Sequence, residues 1–369
     1  MSNPALKALH KLMPYWTRRE IACQDQIYFL YEDMGGDSGR PFSARLASDV
    51  ALGYLVYGRV TEDAPTLNKS VQILRYVLAN QHSSGAFEWN LPDPIAGPGT
   101  PVKDQVDLGT VLDVYYYFVR SGVVDGPLLQ EIQQSVRRAI AYLREHAATS
   151  YSGVIKKRDY GPAKTPAVDV LNGDAMVVAA YTRASQLLGE PGLLMEAEPY
   201  VNNLLQRFGA HYPGWWPYSE RLPDRADTAV RPPGISVFFQ AMMLLYLEPY
   251  FRLTHNPQLR STLREGLRSV IAATSRDGTI DYTYESRQGI EQRPNIMLPA
   301  SMLALQDLMD NEPFITSRLE YVADRLVAAD GTVSDEHGGP TGELWRIWLM
   351  SDLAICLLYT PSLRRSIER

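Results

Sequence analysis

The sequence predicts an all-α chain whose helices close into an (α/α)6 toroid, with six inner helices ringed by six outer ones. Three observations carry that expectation. Two series of turn residues interleave with one period, two kinds of helix alternate between them, and each terminus carries a helical segment without a partner of its own.

The first series consists of prolines preceded by small or polar residues, in "EDAP", "VDGP", "GEP", "HNP" and "NEP". It places Pro65, Pro127, Pro191, Pro257 and Pro313 at intervals of 62, 64, 66 and 56 residues. The second runs through "SGAFEW", "SGVIKK", "PGWWPY", "DGTIDY" and "DGTVSD". Its glycines, Gly85, Gly153, Gly214, Gly278 and Gly331, are 68, 61, 64 and 53 residues apart. One supersecondary unit copied about every 60 residues accounts for both series.

The segments between these marks differ in kind. Before each proline the chain is apolar nearly all round, as in "VALGYLVYG", "VLDVYYYFV", "AMVVAAY", "VFFQAMMLLYLEPYF" and "MLPASMLALQDL". After each proline it is amphipathic: Leu259, Leu263 and Leu267 recur at four-residue steps among Arg260, Arg264 and Arg268, and Val201, Leu205 and Phe208 follow a similar spacing. Helices apolar all round belong inside, and one-faced helices belong outside them. Each proline then falls in the first turn of an outer helix, where its missing N–H leaves no bond unmade. A unit is therefore an inner helix, a tight turn, an outer helix and a longer Gly-aromatic loop.

Five units are complete. A sixth inner helix, "LWRIWLMSDLAICLLY", follows Glu343, and its outer partner "TPSLRRSIER" is cut short. The N-terminal helix, read as running on through "REIACQDQIYFLYE", lacks an inner partner. It supplies the missing outer helix and closes the ring, so that residues 1–369 form a single toroid domain. An open solenoid would need polar caps on both apolar ends, and no such caps stand in the sequence.

Composition narrows the function. A net charge of −6 and a pI near 5.6 lack the basic footprint of a nucleic-acid binder. No run of about 18 apolar residues predicts a membrane span. The N-terminus, "MSNPALKALHKLMPYW", has interspersed charges where a signal core would be apolar, so a cytoplasmic location is expected. Cys23 and Cys356 read as free thiols in helical contexts. The six histidines show no ligand spacing, so no metal is expected, and no cofactor motif is present. The expected partner is a small-molecule or oligosaccharide substrate; the sequence leaves the oligomeric state open.

In such a ring the long loops gather on one face. "HYPGWWPYSE" is one of them, which sets Trp215, Trp216, Tyr218 and Glu220 around the mouth of a central funnel; one tryptophan plugging the gap between outer helices is the competing structural role. The loops add Trp89, Tyr160, Tyr282 and Tyr284 as ring faces for a pyranose, with Asn172 and His337 for its hydroxyls. Arg158 of "KKRDY" and Arg221 are the candidate cations for a substrate carboxylate, since the guanidinium fork binds one in bidentate fashion. Lys156 and Lys157 read as a solvated turn. Tyr218, Tyr282 and Tyr284 are candidate proton donors or bases; a phenol must be brought down about two units from its usual value near 10 to act as a base at neutral pH, and Arg221 is close enough in sequence to do this for Tyr218. Asp174 and Asn172 open the third inner helix and are expected to face the funnel, with an N-cap as the bland reading. The same caution covers Asp49, Asp107 and Asn295 at other inner helices. Hydrolysis would need a carboxylate pair, and Asp174 with Glu220 or Glu285 is the candidate pair.

Two stretches resemble a known group. "DVLNGDAMVVAAYTRASQLLGE" is similar to the opening of an inner helix in glucuronyl epimerases and related uronate lyases and hydrolases. "GWWPYSERLPD" followed by "ISVFFQAMMLLYLEPYFRLTHNP" resembles their aromatic substrate loop and next helix. The resemblance covers roughly residues 168–260. In that family a tyrosine-histidine pair opens the following helix, whereas this chain has Ser236, Val237, Phe238 and Phe239 there. It implies a carbohydrate-active enzyme acting on a uronate-containing saccharide, by lyase- or epimerase-type proton abstraction or by glycosidic cleavage. "ANQHSSGAFEW" also resembles the glutamine-tryptophan repeats of terpene-cyclase and prenyltransferase toroids, although DxDD and DDxxD are absent. A terpene- or prenyl-handling toroid, and a non-enzymatic ring that binds carbohydrate or protein, are the alternatives.

Overall fold

Side chains that are apolar all round a helix leave it no face for water, so such helices must be covered by others. In the computed structural model the described residues are 3–32, 39–90, 102–146, 158–159, 168–217, 219–221, 235–280, 297–309, 311–335, 338–339, 341–361 and 363, with the backbone alone described for 158–159, 168–170 and 219–221. Among them the odd-numbered helices are α1 (Pro4–Thr17), α3 (Ala64–Ala79), α5 (Gly126–His146), α7 (Leu193–Arg207), α9 (Pro257–Ala272) and α11 (Glu312–Tyr321). The even-numbered ones are α2 (Ala44–Val60), α4 (Gln105–Arg120), α6 (Asn172–Leu188), α8 (Val237–Thr254), α10 (Met297–Ala304) and α12 (Glu343–Tyr359).

The even helices form the inner ring. α2 packs on α4, α4 on α6, α6 on α8, α8 on α10, α10 on α12, and α12 returns to α2. In α8 every residue from Val237 to Phe251 is buried. The odd helices lie outside: in α9, Leu259, Leu263 and Leu267 face inward while Arg260, Arg264 and Arg268 stay exposed. The chain is an (α/α)6 toroid.

The proline series marks the outer helices. Pro65, Pro257 and Pro313 sit in the first two positions of α3, α9 and α11. Pro4 does the same in α1, so the N-terminal helix carries the same punctuation as the other outer helices. Pro191 is the exception, since it precedes α7, which begins at Leu193. The glycine series has an equally local cause. Gly85 (φ 93°) and Gly278 (φ 87°) adopt a left-handed backbone, and a Cβ on them would come within 2.1 Å of Arg138 O and 2.3 Å of Ser317 O. These two loops thus lay their turns directly on the backbone of a neighbouring outer helix. Gly331 repeats this contact against Lys11 O of α1. Gly153 lies outside the described residues.

α1 closes the ring. It packs against α12, α2, α11 and the single π-helical turn Val322–Leu326. Lys11 Nζ caps that turn by donating to Ala323 O and Val327 O, at 2.6 and 2.7 Å, and Trp16 is fully buried between Phe29 and Phe42. The N-terminal helix is shorter than its apolar run suggested: it stops at Thr17. Strands β1 (Ile21–Cys23) and β2 (Gln26–Tyr28) then form an antiparallel hairpin. Polar Gln24 and Asp25 make its turn, Gln24 with a left-handed backbone (φ 57°), and beyond it burial follows a period of two: Ile27, Phe29 and Tyr31 are buried while Tyr28 and Leu30 are half-buried. Cys23 is accordingly exposed on a strand, Cys356 is buried in α12, and both are free.

Short strands also line the α3–α4, α5–α6 and α7–α8 connections. β3 (Glu88–Trp89), β4 (Val102–Asp104) and β5 (Arg158–Asp159) make one small sheet; β6 (Val168–Val170) pairs with β7 (Ser219–Arg221). Long connections need partners for their backbone groups, and these ladders supply them around the mouth formed by the N-terminal ends of the inner helices. No described helix is long and apolar enough to cross a membrane.

Candidate active site

A cavity of about 200 Å³ opens on the ring axis at the loop-bearing mouth. Its polar wall comes from Arg45 and Asp49 of α2, Asn172 of α6, Ser351 and Asp352 of α12, and Tyr246 of α8. Its apolar wall is Phe238, Phe239 and Met242 of α8 with Met297 of α10, and Trp89 and Trp348 also line it.

Arg45 and Asp49 stand one turn apart in the first turns of α2 and so share one helix face. The Arg45 guanidinium sits 5.6 Å from the centroids of both Trp89 and Trp348, and its Nη1 lies 3.2 Å from Oδ1 of the fully buried Asp107. Burial alone would lower the Arg45 pKa, but the carboxylates of Asp107, Asp49 and Asp104 outweigh it and hold the group above its ordinary value. Asp49 is 3% exposed. Desolvation pushes its carboxyl up to about 7, against the opposing pull of Arg45 and a hydrogen bond from Ser351. Three polar atoms of this wall have no hydrogen-bond partner among the described residues: Arg45 Nε, Asp49 Oδ2 and Asn172 Oδ1. A buried polar atom left unpaired costs about 1–3 kcal/mol. Here one donor and two acceptors belong to residues that line the same hollow.

Of the residues expected at the funnel, the structure brings Trp89 and Asn172 to this cavity. Asn172 does not cap α6, whose N-cap is Leu171 with no side-chain cap bond; its Nδ2 donates to Met242 Sδ at 3.8 Å, and its Oδ1 has no partner among the described residues. Asp174 takes another direction. Its Oδ2 accepts from Asn203 Nδ2 of α7 at 2.8 Å, which turns the carboxylate outward between an inner and an outer helix. The expectation that it faces the funnel is corrected by the helix period: two residues on from Asn172, a side chain has rotated away from the same face. Trp216 also belongs to the packing. Its Nε1 donates to Leu204 O at 2.9 Å, its ring meets Phe208 edge-on at 4.7 Å, and Gln240 Oε1 accepts from its backbone N–H. Gly214 O accepts from both Gln240 and Ser269, so the loop is tied down among α7, α8 and α9. Trp215 is buried too, and neither tryptophan lines the cavity.

For Arg158, Glu220 and Arg221 only the strand register is described: Arg158 pairs with Asp104, Glu220 with Asp169 and Arg221 with Val168. Tyr160, Tyr218, Tyr282, Tyr284, Glu285 and His337 lie outside the described residues, as does Asn295. Asp174 does not line the cavity, while the Glu220 side chain and Glu285, its candidate partners, lie outside the described residues; the carboxyl groups that line the cavity are Asp49 and Asp352. A signal for these did exist. Arg45, Asp49, Arg346 and Asp352 are charges embedded in inner-helix sequences that are otherwise apolar, and a charge there must be paired or functional. Among the described residues no group of three or more His, Cys, Asp or Glu could hold a metal ion.

Known structures share the whole ring. The cellobiose 2-epimerase of Spirochaeta thermophila superposes with a TM-score of 0.69 at 15% identity, covering 98% of this chain and 95% of that one. A family 76 glycoside hydrolase (mannosidase) from Bacteroides thetaiotaomicron gives 0.68 at 9% identity, covering 98% of each chain. A D-mannose isomerase gives 0.65 at 14%, covering 95% and 96%. At such identities the likeness establishes the toroid fold. No family model and no curated protein sequence matches the chain.

Proposed function

We propose that this chain is an enzyme that cleaves or rearranges a saccharide in the mouth cavity, with Asp49 as the proton-transferring group. The observation that carries the reading is the Asp49 carboxyl: buried in the cavity wall, without a hydrogen-bond partner at Oδ2 among the described residues, and pushed up to about 7. A catalytic acid or base works best with a pKa near the operating pH. Asp352 lines the same cavity from the adjacent helix, and two carboxyl groups in one site, one of them holding its proton, are the requirement for glycosidic cleavage. In that step protonated Asp49 gives its proton to the leaving oxygen as the glycosidic bond breaks, while the second carboxylate takes a proton from the water that bonds to the anomeric carbon from the opposite face. The three structural neighbours are, by their names, a sugar epimerase, a mannosidase and a sugar isomerase.

The wall chemistry supports sugar over isoprenoid. Phe238, Phe239, Met242 and Met297 would suit a hydrocarbon, but no hydrocarbon satisfies Arg45 Nε, Asn172 Oδ1 and Asp49 Oδ2. A pyranose covers the apolar wall with its C–H face and meets these atoms with its hydroxyls. The one guanidinium of the described cavity wall, Arg45, is bonded to Asp107, so a uronate carboxylate would call on a further cation, for which Arg158 and Arg221 stay the sequence candidates.

The test is a panel of mannosides, glucosides and uronate-containing oligosaccharides, followed by NMR in D2O. New reducing ends report cleavage; deuterium at a sugar carbon reports proton abstraction. Asp49→Asn should lower turnover by roughly 10² to 10⁴ with its melting temperature at or above the wild-type value. Near-normal turnover in that variant removes Asp49 from the chemistry.

A further inference from the structure

Asp107 lies in the first turn of α4, and none of its surface reaches water. Its carboxylate takes the Arg45 guanidinium from the neighbouring inner helix at 3.2 Å. Two tryptophans, from different elements, hold that guanidinium at equal distances of 5.6 Å. The position of Arg45 is thus set from three sides, by α4, β3 and α12. Asp49 follows one turn later on α2. The charged and titratable groups around it among the described residues are Arg45 on its own helix, Asp104 and Asp107 at the start of α4, Tyr246 on α8 and Asp352 on α12, with the Ser351 hydroxyl bonded to it. Arg45 is the one cation of that set.

We propose that Asp107 is a positioning residue: it binds Arg45 into the slot between Trp89 and Trp348, weakens the pull of that cation on Asp49, and so leaves Asp49 able to hold a proton. The inference rests on the reading of Asp49 as the proton-transferring group. Its physics is electrostatic. A guanidinium neutralised by an adjacent carboxylate acts on a third group as a dipole, whose field falls off faster than that of a bare charge. In a buried site a bare charge one helical turn away is strongly felt. Removing the Asp107 charge would turn Arg45 into that bare cation, and Asp49 would release its proton at lower pH. The aromatic slot also requires a planar cation, since lysine offers a point charge on a flexible stem and no fork.

The experiment is a pH titration of the aspartate carboxyl carbons by 13C NMR in the full chain, with the Asp49 signal identified by its loss in Asp49→Asn. The wild-type midpoint is expected at about 7. Asp107→Asn should lower it by at least about one pH unit, and Asp107→Glu, which keeps the charge, should restore most of the wild-type value. Arg45→Lys should lower the midpoint as well, because the ammonium leaves the slot; this second variant decides the matter if Asp107→Asn does not fold. A residue that merely held α2 against α4 would change the melting temperature and leave the Asp49 midpoint in place. Midpoints that stay unchanged or rise in both Asp107→Asn and Arg45→Lys overturn the proposal. A wild-type Asp49 midpoint near 4 is a different result, and it overturns the role given to Asp49 itself.

Discussion

The two ends of the ring bury similar chemistry and treat it in opposite ways. At the narrow end, formed by the C-terminal halves of α4, α6, α8 and α12, Arg183 is 4% exposed, and its Nε lies 2.6 Å from Asp113. Its guanidinium stacks on Tyr116 at 3.9 Å and donates to Tyr117. Tyr359 donates to Glu248, Glu248 accepts from Arg252, and Arg252 also holds Asp307. A hollow of about 150 Å³ remains there, yet among the described residues none of these groups has a buried polar atom without a partner. At the loop-bearing mouth, Arg45, Asp49 and Asn172 each keep one such atom. Buried charges that satisfy one another close a structure. Buried polar atoms left open around a hollow lack their counterpart until a ligand brings it.

Removing α1 is the harshest way to break this comparison, because both ends depend on the closed ring. Deletion of residues 1–33 should abolish soluble folding, exposing the apolar seam of α12 and α2. A truncated chain that keeps its full melting temperature would refute closure by α1. The next effect separates the two ends. Asp113→Ala strands the Arg183 charge in the interior and should cost about 3–5 kcal/mol, read by urea unfolding, while turnover of the folded fraction stays within a few-fold. Asp49→Asn should show the reverse pattern. If Asp113→Ala abolishes turnover at full stability, the narrow end is functional and the contrast fails.

The smallest effect sharpens the mouth alone. The pKa of folded Asp49 is about 7, while the unfolded side chain titrates near 3.9. Between these values the folded state binds the extra proton, so the Asp49 contribution to stability falls as pH rises from about 4 to about 7 and is level above. Relative to wild type, Asp49→Asn should therefore gain stability across that window, by at most about 4 kcal/mol. A gain that is flat with pH would place Asp49 in an ordinary solvated environment.

Much of the ring was legible in the residues. Pro65, Pro257 and Pro313 mark outer helices because a missing N–H matters least in a first turn, and Gly85, Gly278 and Gly331 mark loops laid against helix backbone. The hairpin at Ile21–Tyr28 was not legible, since its turn is made by Gln24 and Asp25 without a glycine, Gln24 itself taking the left-handed backbone (φ 57°). The loop "HYPGWWPYSE" was conspicuous for its aromatics, but composition does not say which way a ring faces. Trp216 turns inward to Leu204 and Phe208.

What the sequence determined by itself was the repeat, the two kinds of helix and the closure by the N-terminal segment. All of these follow from local propensity and from which faces must avoid water. The tertiary structure alone decided the cavity. Arg45, Asp107, Trp89 and Trp348 are separated by as many as 303 positions in the chain, and they meet because ring closure brings α12 beside α2. Asp49 then owes its raised pKa to burial among residues that no local pattern could have placed beside it.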